Sequence, residues 1–137
     1  NEIKKDLKDK DIENTEITKD DKGVKITLEN IQFDANSSIL QQKEIERLDK
    51  IADILKKYKD RGVMIEGHTT DRGTKKGREI LSLERAKSVA DFLINKEAID
   101  PKKSSYIGRG GSNPIASNDS EDGLKKNRRV EIYILEE

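Results

Sequence analysis

The sequence predicts an α+β domain in which a mixed β-sheet carries two main helices packed on one face. Three observations point to this. Residues 41–59 and 78–95 place apolar side chains at intervals of three and four, as helices with one buried stripe do. Residues 24–28 and 129–135 alternate apolar and polar, as half-buried strands do. A short apolar run, Val63-Met64-Ile65, lies between the two helical segments. Helices that cross between strands require parallel pairing in part of the sheet, and a hairpin requires antiparallel pairing elsewhere.

The elements follow in the order ββαβαββ. Residues 1–11 are a charged run, and residues 1–12 are expected to be a linker or the end of a preceding helix, frayed although Ile3 and Leu7 stand four apart. The domain proper is expected over 13–137. Residues 13–18 and 24–33 flank Lys19-Asp20-Asp21-Lys22-Gly23, a hairpin turn in which Gly23 takes positive φ. In the first helix Ile45, Leu48, Ile51, Ala52, Leu55 and Tyr58 form the stripe, and Arg61-Gly62 ends it. The strand at 63–65 closes at Gly67-His68 and leads into a polar loop over 69–77. Ala86, Val89, Ala90 and Leu93 supply the stripe of the second helix, and Pro101 follows it. Residues 104–108 read as a short strand. Residues 109–126, rich in Gly, Ser and Asn, read as a long loop. Val130, Ile132 and Ile134 then alternate with Arg129, Glu131 and Tyr133 in the last strand.

Composition narrows the function. The 137 residues suit one domain, and the start at Asn1 rather than Met suits a processed chain or an excised fragment. No segment approaches the roughly 20 apolar residues that span a bilayer, so any membrane attachment is expected through a region outside this chain. Lys and Arg number 28 and Asp and Glu 28, which removes the global pull toward nucleic acid. With five Tyr and Phe in all and no Trp, base-stacking surfaces are not expected. The lack of Cys excludes a disulfide framework and thiolate metal sites. No cofactor is implied.

Little in the sequence points to catalysis. His68 is the one histidine and reads as a hydrogen-bonded structural residue. A Ser82–His68–Asp71 triad is disfavoured because Ser82 falls inside a helical pattern and has no nucleophile elbow. Gly108-Arg109-Gly110-Gly111 lacks the Lys-Ser/Thr of a phosphate loop and reads as a turn at a strand end. Arg78 and Arg85 are two helical turns apart and share a face. A guanidinium early in a helix can hold a carboxylate bidentately, although spacing alone favours arginines that are solvated or paired with Glu79, Glu84 and other acids. Arg128 and Arg129 fall on opposite faces by alternation.

Three blocks carry a family resemblance: IQFDANSSIL over 31–40, IEGHTTDRGTKKGREILSLERA over 65–86, and GRGGSNPIASN…GLKKNRRVEI over 108–132. In order and spacing they resemble the hallmark segments of the OmpA C-terminal domain family, which includes the peptidoglycan-associated lipoprotein and flagellar motility protein B. The resemblance implies a mixed sheet with helices packed on it, no enzymatic activity, and non-covalent binding of the peptidoglycan stem peptide through diaminopimelate or another diamino acid. It implies residence in the cell envelope, at the periplasmic face of the outer membrane, with other envelope proteins as further partners. Phe33, Asp34 and Asn36 would border the binding cleft. Leu81 and Arg85 match the family's LSxxRA segment, in which the arginine takes a ligand carboxylate, and Asn127-Arg128 match its NRR motif.

Two positions depart from the family pattern. The family aspartate lies fifteen residues before the helix arginine, where this chain has Thr70, and Asp71 is only its neighbour. A family asparagine seven before the arginine is Arg78 here. The missing carboxylate is the group expected to receive the ligand ammonium, a bond worth roughly 1.5–3 kcal/mol. Three outcomes are open: Asp71 substitutes, the site takes a ligand dominated by carboxylates, or the domain no longer binds peptidoglycan and serves as a structural or protein-interaction module.

Overall fold

The computed structural model describes residues 2–34 and 37–136. Five strands form one sheet in the order β1-β2-β5-β3-β4. They are β1 (Thr15–Asp20), β2 (Gly23–Leu28), β3 (Val63–His68), β4 (Ser104–Gly108) and β5 (Arg129–Leu135). Helices α1 (Glu2–Asp9), α2 (Gln42–Leu55), α3 (Lys75–Asn95) and α4 (Glu121–Asn127) accompany them. The β3–β4 pair, bridged by α3, is parallel, and the other three pairs are antiparallel. The expected α+β class and mixed sheet are therefore present. No helix among the described residues is long and apolar enough to cross a membrane.

Alternation divides the sheet into two chemically different faces. Ile26, Ile132 and Ile65 are register partners across β2, β5 and β3, and all are fully buried. They share one core with Leu48, Ile51 and Leu55 of α2 and with Ala86, Val89 and Leu93 of α3. The other face of the same strands carries Glu66, His68, Arg129, Glu131 and Tyr133. Burying a side chain such as Ile132 or Leu48 stabilises the fold by about 1.5–3 kcal/mol, so the helix-covered face holds the domain together.

The hairpin forms as expected. Asp20 Oδ1 accepts from the Lys22 amide at 2.8 Å, and Gly23 has φ +138°. A Cβ there would collide with the Ile134 carbonyl of the neighbouring strand.

Four elements differ from expectation. The opening charged run is an ordered helix rather than a frayed end. Ile3 and Leu7 are 2% and 1% exposed within the common core, and the Tyr58 hydroxyl donates to Asp6 at 2.8 Å. The strand expected over 24–33 stops at Leu28. Asn30 then takes φ +47°, and the chain returns as an isolated bridge between Phe33 and Leu40. Helix α3 begins at Lys75, three residues before the expected start at residue 78, because the Thr74 hydroxyl caps it by accepting from the Gly77 amide at 3.0 Å. The long loop over 109–126 contains α4, capped by Ser120 on the Gly123 amide at 3.0 Å, with Glu121 and Asp122 in its first turn and Lys125 and Lys126 in its last.

Helix α3 lies unusually close to the sheet. Its backbone at Ser82 and Leu83 rests on Gly67 of β3 and Gly108 of β4, where any Cβ would enter the Ser82 carbonyl or the Leu83 amide. This approach fixes the start of α3 beside the ends of β3 and β4.

Candidate functional site

A cleft of about 560 Å³ opens where β3 ends, α3 begins and β5 starts. Thr69 and Thr70 form its β3 side, Arg128 enters from the residue before β5, and one face of α3 supplies the rest. On that face Thr74, Gly77, Arg78, Leu81 and Arg85 recur at intervals of three and four, so they project in one direction. The next face of the same helix, with Ser82, Ala86, Val89 and Leu93, is in the core.

Arg85 is the most constrained cation in the cleft. Its guanidinium stands 4.7 Å from the centroid of the buried Phe33 ring, and its Nε donates to the Ser37 carbonyl at 3.0 Å. One turn on, the Ser88 hydroxyl donates to the Ser38 carbonyl at 2.7 Å, so α3 pins the segment that follows Phe33. Among the described residues neither Arg85 nor Arg128 forms an ion pair. Burial, and then the like charge of Arg128, lower the Arg85 pKa. A cation that has lost water and faces another cation is poised to gain from an anion.

Arg78 is held differently. Its Nη1 donates to the carbonyls of Asp71, at 3.0 Å, and Gly73, at 2.6 Å, closing the 69–74 loop over the first turn of α3. The backbone of Asp71 is thus built into the rim. Its side chain is exposed, is not part of the cleft lining, and approaches Arg72 Nε at 3.9 Å. Thr70 is buried, and its Oγ1 accepts from the Arg72 amide at 3.3 Å. The described lining carries four arginines (Arg72, Arg78, Arg85 and Arg128) and one carboxylate, Glu84. Cations also occupy the first turn of α3, with Lys75, Lys76 and Arg78 where helices ordinarily carry acids.

Of the residues singled out in the sequence, the structure gathers Thr70, Arg78, Leu81, Arg85 and Arg128 into the cleft and sets Phe33 behind Arg85. Asp34 is exposed on the segment that Arg85 pins, away from the lining. Asn36 lies outside the described residues. Asn127 is fully buried and does not face a ligand. Its Oδ1 accepts from the amides of Ile115 and Ala116, at 2.8 and 3.1 Å, and its Nδ2 donates to Ala116 O and Asn118 Oδ1. Sequence reasoning missed Thr69, Arg72, Gly73, Thr74, Gly77, Ile80 and Glu84. The capping pattern at Thr74 was the available signal, since moving the helix start by one turn brings Thr74 and Gly77 onto the Arg85 face.

Several of the remaining polar groups have structural partners. Ser82, fully buried, donates to the Glu79 carbonyl at 2.9 Å and accepts from the Gly110 amide at 2.8 Å. The same Gly110 accepts from the Thr69 amide at 2.9 Å, which makes the glycine-rich string the expected turn at a strand end. His68 is buried on the opposite sheet face, with Nε2 3.3 Å from Glu66 and 3.5 Å from Glu131. Arg129, on the same face, donates through Nε to Glu131 at 2.8 Å, and the Tyr133 hydroxyl donates to the other oxygen at 2.8 Å. Burial opposes ionisation of Glu131 most strongly, but the nearby His68 and hydrogen bonds from Arg129 and Tyr133 outweigh it and hold its pKa well below the carboxylate range. Ser82 and His68 thus belong to different faces of the sheet, and Ser82 is already hydrogen-bonded on both sides.

Comparison with known proteins gives consistent matches. The family model described as OmpA family matches residues 32–128. Outer membrane porin F of Pseudomonas aeruginosa is 32% identical over 104 residues, 76% of this chain and 30% of that protein. Peptidoglycan-binding protein ArfA of Mycobacterium tuberculosis is 38% identical over 104 residues, 76% of this chain and 32% of that protein. The chain thus spans about a third of the length of these relatives. Among solved structures, the cell wall anchor of the type VI secretion system from Pseudomonas aeruginosa superposes with a TM-score of 0.84 at 27% identity, covering 98% of this chain and 97% of that one.

Proposed function

Because the chain belongs to the OmpA family, we propose that its cleft binds the stem peptide of peptidoglycan non-covalently and tethers an envelope protein to the wall, without catalysing a reaction. The observation that carries this reading is Arg85. It is partly stripped of water, braced by Phe33 and the Ser37 carbonyl, faced by a second cation and supplied with no carboxylate by the described residues. Such a group is organised before its ligand arrives, so little ordering cost remains when a carboxylate binds. Leu81 and Ile80 offer an apolar wall for the methylene chain of a diamino acid such as diaminopimelate. Relatives named for peptidoglycan binding or wall anchoring support the ligand class, and relatives in the outer membrane support a location at the periplasmic side of the envelope. Co-sedimentation with purified sacculi tests the reading. Wild type is expected in the pellet and Arg85→Ala in the supernatant. Equal pelleting of the two removes the site, and failure of wild type to pellet removes the function.

A second reading is favoured by Thr70, which puts a hydroxyl where the family carries a carboxylate. On this reading the domain has lost wall binding and serves as a scaffold or a protein-contact module. It predicts that Thr70→Asp with Arg78→Asn gains binding to diaminopimelate peptide, and it loses its basis if wild type already binds as tightly.

A further inference from the structure

We infer that the cleft selects its ligand through a carboxylate alone, so the side-chain carboxylate of the stem's diamino acid is read between Arg85 and Arg128 while the ammonium beside it is not. This rests on the stem-peptide reading and narrows it to a specificity. Four features of the structure carry it.

First, the charge of the described lining is one-sided, with four guanidiniums against Glu84. Glu84 is exposed on α3, and an ion pair with an exposed carboxylate contributes little in water. Second, Arg85 and Arg128 repel each other across the cleft, and neither has an ion-pair partner among the described residues. An anion between them removes that repulsion, whereas an ammonium adds to it. Third, the end of β3 supplies no charge to attract an ammonium. Thr70 is buried with its hydroxyl oxygen accepting from Arg72, which leaves the hydroxyl proton to donate to an anion. Asp71 cannot replace the missing carboxylate, because Arg78 holds its carbonyl in the rim while its side chain is exposed outside the lining. Fourth, Lys75, Lys76 and Arg78 crowd the positive end of α3, so the helix dipole and its first-turn side chains push the field in the same direction.

Titration calorimetry of the full chain with three synthetic muramyl tripeptides tests the inference. The third residue is meso-diaminopimelate, 2-aminopimelate (carboxylate kept, second ammonium removed) or lysine (ammonium kept, carboxylate removed). The first two are expected to bind within about threefold of each other, and the lysine peptide about tenfold or more weaker. Arg85→Ala is expected to bring the first two down to the level of the lysine peptide. If 2-aminopimelate binds more than about threefold weaker than diaminopimelate, the ammonium is read; the inference fails while stem-peptide binding stands. If the lysine peptide binds as well as the other two, the carboxylate is not read and the inference also fails. If none of the three binds and sacculi do not retain the protein, the stem-peptide reading itself falls.

Discussion

Gly67 and Gly108 face each other across the parallel β3–β4 pair, and the backbone of α3 rests on both. The absence of two side chains sets the distance between helix and sheet. That distance in turn sets where Arg78, Leu81 and Arg85 stand relative to Thr70. Gly108→Ala is expected to destabilise the domain by roughly 3 kcal/mol or more, at the upper end of overpacking costs, because the obstruction is backbone that cannot swing aside. Gly73→Ala meets open space at φ +83° and is expected to cost only about 1–2 kcal/mol from the left-handed backbone. Urea unfolding of the two variants distinguishes these cases.

Glu131 makes stability depend on pH in a defined direction. Its folded pKa is depressed below the unfolded value of about 4.3. Its contribution is therefore present above that value and is lost as pH falls toward the folded pKa. Glu131→Gln is expected to cost about 3 kcal/mol at pH 7, because the buried Arg129 loses its counter-charge. The gap between variant and wild type is expected to narrow steadily below about pH 4. Urea midpoints at pH 7 and pH 3 measure it, and a gap that widens on acidification contradicts the assignment.

Asn127 acts as a clamp for the segment between β4 and α4. Replacing it by Ala leaves the Ile115 and Ala116 amides without their acceptor. A loss of about 2 kcal/mol or more is expected. Amide exchange gives a local signature, with faster exchange at Ile115 and Ala116 and unchanged protection in β2.

Phe33 is expected to matter to ligand binding without touching the ligand. Phe33→Leu keeps an apolar side chain under Arg85 but removes the ring face, worth about 0.5–1 kcal/mol. Stem-peptide affinity is expected to fall about two- to fivefold with the fold intact. Calorimetry beside a circular dichroism melt checks both halves.

The repeating parts of this fold were legible in the sequence, because β2, β5 and both main helices each show one dominant period. Val130, Ile132 and Ile134 announced β5, and Leu48, Ile51 and Leu55 announced α2. What escaped was set by single side chains acting on backbone. Thr74 and Ser120 begin helices earlier than any apolar stripe does, and Gly77 and Gly123 disguised those first turns as loop. Ile3 and Leu7 are too few to establish a period, yet two apolar anchors suffice once a core exists to receive them. At the cleft, the shared face of Arg78 and Arg85 followed from spacing. The different uses of Asp71 and Asn127, one offering its carbonyl to Arg78 and the other bonding four backbone and side-chain groups, depend on long-range geometry that no local pattern encodes.

The strand order has a mechanical side. Helix α1 packs beside β1 and α2 at one edge of the sheet, while the cleft sits at the ends of β5 and β3, two and three strands further in. A load applied between α1 and the cleft is carried partly by the β1–β2 and β2–β5 ladders, both antiparallel and paired along the full length of β2, and partly by α2, on which α1 also packs. Tension is thus shared between rows of backbone hydrogen bonds and the packed α2 side of the core before it reaches α3.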